Sequence, residues 1–229
     1  MTRFSRPTSS LRAERTADVL RAGAVAVVRV RSADEAMAVS DALTAGGMQA
    51  IELTLTTPGA LDVLRALRVR GGDALLLGAG SVLTVEDARA AIDAGASYIV
   101  SPVLDLDVMA VAHDADVPAM PGAYTPTELL VAYKAGADVV KLFPADGLGA
   151  RYLRGVLAPM PFLPIMPTGG VTPDNIGDWL RAGAVAAGLG SALVDPSLVK
   201  SGDLATITAR ARQVVLGVTE ARAPRTPAS

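Results

Sequence analysis

Ala135-Gly136-Ala137-Asp138-Val139-Val140-Lys141-Leu142-Phe143-Pro144 carries two structural signals in succession. A small residue followed by glycine marks a helix end, because glycine takes the left-handed conformation without a Cβ penalty. The β-branched and apolar run behind it reads as a buried strand. The same junction recurs as Ala22-Gly23-Ala24, Ala45-Gly46-Gly47, Ala94-Gly95-Ala96 and Ala182-Gly183-Ala184. Counted at Gly23, Gly46, Gly95, Gly136 and Gly183, the gaps approximate one, two, two and two copies of a unit of about 23 residues. That length accommodates a short strand, a short helix and two tight loops.

Filling in the intervening units predicts eight strands, near 24–30, 49–54, 74–79, 97–101, 117–121, 137–143, 162–167 and 184–189. Amphipathic segments at 33–45, 58–70, 84–94, 105–115, 125–135, 149–158 and 172–182 separate them, several opened by a capping residue or proline. An eighth helix is expected within 195–218, and an extra one at about 9–22 to cover the bottom. Strict alternation means a parallel sheet. The expected fold is a single α/β domain over 1–229, a (β/α)8 TIM barrel at about 24–218 with an extra N-terminal helix. An open doubly wound sheet would normally place a glycine-rich phosphate turn after its first strand. Here Val30-Arg31-Ser32-Ala33 stands there.

Composition narrows the partners. A net charge of −2 and an aromatic content of 3% give neither the basic field nor the stacking surface that nucleic acid requires. No apolar run approaches the roughly 18 residues of a membrane span. Cysteine is absent, which removes disulfides, thiolate metal sites and a cysteine nucleophile, and fits a reducing compartment. Residues 1–10 carry Arg3 and Arg6 without the apolar core of a secretory signal, and 221–229 combine prolines with small and charged residues. Both are expected to be poorly ordered tails.

Lys141 is the residue that asks for a chemical explanation. The chain has three lysines, Lys134, Lys141 and Lys200, against eighteen arginines, yet keeps an amine in an apolar strand where desolvating a charge is expensive. An amine can form a Schiff base and a guanidinium cannot. The structural alternative is a core lysine whose head snorkels to the strand end. Side chains alternate along a strand, so Ala50, Glu52 and Thr54 share one face, as do Val139, Lys141 and Phe143. If both faces point inward, Glu52 meets Lys141, and a proton-exchanging carboxylate beside an amine is the pair needed to make and use an imine. The competing reading is a buried ion pair.

Other strand ends gather at the same expected mouth: Arg29, Ser81, Ser101-Pro102 and Pro121-Gly122. Strands seven and eight end in Pro167-Thr168-Gly169-Gly170 and Gly188-Leu189-Gly190-Ser191, where exposed backbone N–H groups suit an anion such as phosphate. His113 reads as a solvated or dipole-stabilising residue near a helix end, Asp146 as a loop cap, and Trp179 with the methionines as packing between helices and strands. One histidine and no cysteine argue against a zinc site.

Taken in order, Val28-Arg29, Gly46-Gly47, Ile51-Glu52-Leu53-Thr54, Gly78-Ala79-Gly80-Ser81-Val82, Ser101-Pro102, Pro121-Gly122, Lys141-Leu142-Phe143-Pro144, Pro167-Thr168-Gly169-Gly170 and Gly190-Ser191 closely resemble the KDPG/KHG aldolase family. Its members are class I aldolases that cleave 2-keto-3-deoxy-6-phosphogluconate and related acids. The resemblance spans about 20–195. It implies Lys141 as the Schiff-base lysine, Glu52 as general acid/base, and Arg29 on the pyruvate carboxylate with Ser81, Pro102 and Phe143 lining that pocket. Thr168, Gly169, Gly170, Gly190 and Ser191 would hold a distal phosphate. It further implies a cytoplasmic homotrimer that needs no metal or organic cofactor and acts on a small phosphorylated keto acid. Two positions depart from the pattern. Thr56 stands where some members have arginine, and Ser81 where threonine is usual. A sugar-phosphate isomerase or synthase on the same barrel, with Lys141 purely electrostatic, and a non-catalytic phosphosugar-binding protein are the other readings.

Overall fold

The computed structural model of the chain describes residues 10–223. Helix α1 (Leu11–Ala22) is capped by the Ser10 hydroxyl, which accepts from the Ala13 N–H. Strand–helix units follow: β1 (Ala24–Val28), α2 (Ala33–Ala45), β2 (Ala50–Thr54), α3 (Ala60–Gly71), β3 (Leu76–Gly80), α4 (Val85–Asp93), β4 (Tyr98–Val100) and α5 (Leu106–Asp114). The second half runs β5 (Ala119–Met120), β6 (Gly122–Ala123), α6 (Pro126–Lys134), β7 (Val140–Leu142), α7 (Gly149–Leu157), β8 (Ile165–Pro167), α8 (Ile176–Arg181), β9 (Ala187–Leu189), α9 (Pro196–Ser201) and α10 (Leu204–Arg222).

Loops entering helices end in the expected caps. Ser32, Thr84, Asp105 and Asp195 each accept from a first-turn N–H, and Thr125 with Glu128 forms a reciprocal capping box ahead of Pro126. Leaving helices, the chain turns through left-handed glycines at 23, 95, 136 and 183. At the second junction the left-handed residue is Gly47, one position beyond the Gly46 used to count the repeat.

Every recorded strand pair is parallel, in a six-stranded sheet ordered β5-β4-β3-β2-β1-β9 and a three-stranded sheet β6-β7-β8. The sheets touch at an isolated Thr168↔Gly188 bridge, and the Lys141 N–H donates to the Pro121 carbonyl at 2.9 Å. The sheet curls, so that Val25, Ala50, Leu76, Tyr98, Met120, Val139, Met166 and Ala186 pack into one inner layer. Val19 of α1 joins that layer, and the larger core fills the space between the outer strand faces and the helices. Burial on both faces explains why the strands read as continuous apolar runs. Among the described residues, no helix is long and apolar enough to cross a membrane.

Three expectations are corrected. The predicted single strand at 117–121 is two segments, because Pro121 between them has no N–H to donate to a ladder. The predicted eighth helix is two, α9 and α10, separated at Gly202 with φ 73°. Finally, Ala221 and Arg222 are not tail but the end of α10, where Arg222 donates to the carbonyls of Leu20, Arg21 and Val185. Of the other expected tail positions, Ser10 and Ala223 cap α1 and α10, and 1–9 and 224–229 lie outside the described residues.

Candidate active site

At the carboxyl ends of the strands lies a cavity of ≈ 560 Å³. Arg29, Glu52, Ser81, Pro102, Lys141, Phe143, Thr168, Gly169, Gly170, Gly190 and Ser191 all line it. The eleven residues expected to be catalytic or substrate-binding therefore line one cavity, whereas Ser101, Pro121 and Gly122, expected at the same mouth, are not in its lining. Parallel pairing aligns Val27 with Glu52 on one side and Gly122 with Lys141 and Met166 on the other, so the two functional side chains project from separate parts of the curled sheet into the same interior.

Lys141 and Glu52 are both buried, and Nζ stands 3.8 Å from Glu52 Oε1. That gap exceeds a hydrogen bond, and neither Glu52 oxygen has a hydrogen-bond partner among the described residues. A purely structural buried pair needs close, hydrogen-bonded geometry to offset desolvation. This carboxylate instead faces the cavity with its lone pairs unused. Gly80 makes the arrangement possible, since a Cβ there would overlap Glu52 Oε1. Lys141 Nζ also lies 5.0 Å from the centre of the Phe143 ring.

Around this pair the environment divides in two. Arg29 leaves the end of β1 and points a guanidinium nitrogen at Ser81 Oγ, 3.5 Å away, a long contact that leaves most of its donors directed at solvent-accessible space. Ser81 holds its hydroxyl there from a left-handed backbone, φ 59°, a conformation uncommon for a residue with a side chain. On the opposite wall Gly169 and Gly170 take φ of 95° and 68° directly after β8, while Gly190 and Ser191 follow β9. Thr168 turns a buried hydroxyl, without a hydrogen-bond partner among the described residues, toward Gly188, where a Cβ would overlap it.

Sequence reasoning missed Val27, Asp146, Val171, Ala192, Val194 and Pro196, which complete the lining. Asp146 is the informative omission. Expected to cap its loop, it lines the cavity with Oδ1 over Gly169, where a Cβ would overlap it. Its position two residues past Pro144 was the available signal. His113 sits in the last turn of α5, near the helix end as expected. It lies at the far end of the strands with Nε2 3.2 Å from Asp138 Oδ2, partly buried rather than solvated.

Comparison with known proteins identifies the family. A family model described as KDPG and KHG aldolase matches residues 16–210. A 2-dehydro-3-deoxy-phosphogluconate aldolase of Haemophilus influenzae is 33% identical over 192 residues, covering 83% of this chain and 90% of its own. A 2-dehydro-3-deoxy-6-phosphogalactonate aldolase of Escherichia coli K12 is 35% identical over 170 residues, covering 74% and 83%. Among solved structures, KDPG aldolase from Legionella pneumophila, with pyruvate captured as a covalent carbinolamine, superposes with a TM-score of 0.80 at 28% identity, covering 87% of this chain and 97% of that one. On the family match and the shared length of these relatives, the chain belongs to the KDPG and KHG aldolase family.

Proposed function

We propose that the protein is a class I aldolase that cleaves a 2-keto-3-deoxy-6-phospho sugar acid, such as 2-keto-3-deoxy-6-phosphogluconate, to pyruvate and glyceraldehyde 3-phosphate. The observation that carries this reading is Lys141 Nζ, buried at 3.8 Å from a Glu52 carboxylate that has no hydrogen-bond partner among the described residues and faces the same cavity. In the proposed cycle the Lys141 amine attacks the C2 ketone and water leaves, giving an iminium. Glu52 takes the C4 hydroxyl proton as the C3–C4 bond breaks, and the electron pair of that bond passes into the iminium to leave an enamine. The aldehyde departs. Glu52 delivers a proton to C3 of the enamine, and water releases pyruvate and restores the amine.

Arg29 is proposed to hold the pyruvate carboxylate, because a guanidinium can grip both oxygens and orient the keto carbon toward Lys141. Ser81, Pro102 and Phe143 would line that half. Thr168, Gly169, Gly170, Gly190 and Ser191 would receive the distal phosphate through backbone N–H and hydroxyl groups. The reading includes a (β/α)8 barrel, which the Thr168↔Gly188 bridge and the Lys141-to-Pro121 hydrogen bond support at the two seams. It also includes a cytoplasmic homotrimer. Relatives named for gluconate-series and galactonate-series acids leave both as substrates to compare.

Pyruvate release is the direct test, measured with both six-phosphorylated acids and with unphosphorylated 4-hydroxy-2-oxoglutarate in the presence of a chelator. Stoichiometric pyruvate and glyceraldehyde 3-phosphate from a phosphorylated acid is the expected result. Rearrangement without pyruvate would instead assign an isomerase, and tight binding without turnover a binding protein.

A further inference from the structure

Tyr98 is fully buried, and its hydroxyl has no hydrogen-bond partner among the described residues. A buried tyrosine ordinarily has one. Strand register explains where this hydroxyl points. Glu52 pairs with Gly78, and Gly78 with Tyr98, so the three share one rung across β2, β3 and β4. Neighbouring strands are about 4.8 Å apart, and any side chain at position 78 would separate the other two. Glycine leaves that space to the Tyr98 ring, whose Cε2–Cζ edge would overlap a Cβ at 78. The hydroxyl-bearing carbon therefore lies over β3, between Tyr98's own strand and that of Glu52. Glu52 leans over Gly80, and its two oxygens are likewise buried with no hydrogen-bond partner among the described residues.

Burial pushes the Tyr98 phenol well above the usual tyrosine range, and the Glu52 charge adds to the shift. The group thus stays protonated, as a donor must. We propose that Tyr98 is a positioning residue for Glu52: its phenol donates, through one bridging water, to the carboxylate and holds it oriented toward the carbon that gains and loses the proton. This rests on the acid/base role of Glu52 proposed above. The competing explanation is that Tyr98 only fills the inner layer with Val25, Ala50, Val100 and Met120. In that case phenylalanine would serve at least as well, since it has no hydroxyl to bury.

Exchange of pyruvate methyl protons in D2O, followed by NMR, reads the Glu52 step without the cleavage step. Tyr98→Phe should slow exchange roughly tenfold, the scale of one lost hydrogen bond to a charged group. Borohydride trapping of pyruvate on Lys141, its pyruvate concentration dependence and the melting temperature should stay as in wild type. In a Glu52→Gln background, Tyr98→Phe should have no further effect. Exchange in Tyr98→Phe equal to wild type, or an equal loss in both backgrounds, overturns the proposal. A wild-type protein that neither traps pyruvate nor exchanges its protons overturns the aldolase reading itself.

Discussion

Gly80 and Glu52 compete for one volume: a Cβ on the glycine would overlap the carboxylate Oε1 that stands 3.8 Å from Lys141. Gly80 ends β3, outside the left-handed region, so its backbone accepts alanine. The Glu52 side chain must move from Cγ outward, since Cγ would lie 2.6 Å and Cδ 2.5 Å from the added Cβ. Gly80→Ala is expected to fold, trap pyruvate and lose about 10²-fold in kcat, approaching Glu52→Gln, for which about 10²–10⁴-fold is the scale of a positioned acid/base. Wild-type turnover in Gly80→Ala would show that the position of Glu52 is not critical.

Arg29 faces the cavity from the end of β1, with Ser81 at 3.5 Å. Lysine in its place keeps the charge but loses the two-pronged grip on a carboxylate. Arg29→Lys should raise the KM for the keto acid and slow cleavage, while inorganic phosphate inhibits as it does in wild type. Unaltered pyruvate binding would assign the carboxylate to another group.

The phosphate end is best probed at Ser191. Gly170 has a φ of 68° and a close approach to the Asp146 backbone, so substitution there would confound charge with strain. Ser191 is exposed on the cavity wall. Ser191→Asp should raise KM for a phosphorylated acid far more than for 4-hydroxy-2-oxoglutarate. Equal effects on both would place the phosphate elsewhere.

Periodicity made the architecture legible because each Ala-Gly junction is a physical helix stop: four of the five counted glycines take a left-handed backbone, and Gly47 does so next to the fifth. Side-chain alternation likewise brought Glu52 and Lys141 to one interior, since a one-residue error on either strand would have separated them. What escaped were effects of space and of distant chain. Nothing local distinguishes the glycines at 78 and 80, which make room for Tyr98 and Glu52, from ordinary turn or strand glycines. Pro121 looked like a strand terminus because the hydrogen bonds that resume the ladder at Gly122 come from β7, about twenty positions further along. Arg222 looked unattached because its partners, Leu20, Arg21 and Val185, are far away in sequence.

Stability should depend on the cluster at the opposite end. Asp138 accepts from Arg12 Nε at 2.8 Å and from the Ala119 N–H at 2.9 Å, with His113 at 3.2 Å. Burial lowers the His113 pKa and the Arg12 charge lowers it further. Asp138 pulls the other way with less effect, its carboxylate being shared with Arg12 and the Ala119 N–H. A depressed folded value means that the unfolded chain binds the proton first. The contribution is therefore complete above the ordinary value of 6.5 and is lost as pH falls through the folded one. The melting temperature should drop on acidification below that value, and His113→Gln should lose this part of the slope. Identical slopes in both proteins would contradict it.

Imine formation at Lys141 is the centre of the account, and borohydride reduction in the presence of pyruvate measures it. The other lysines, Lys134 and Lys200, are exposed on helices, so the site of labelling discriminates cleanly. One pyruvate-derived adduct per chain is expected, on the peptide containing Lys141, and none in Lys141→Arg. An adduct on Lys134 or Lys200, or full cleavage activity in Lys141→Arg, would contradict it.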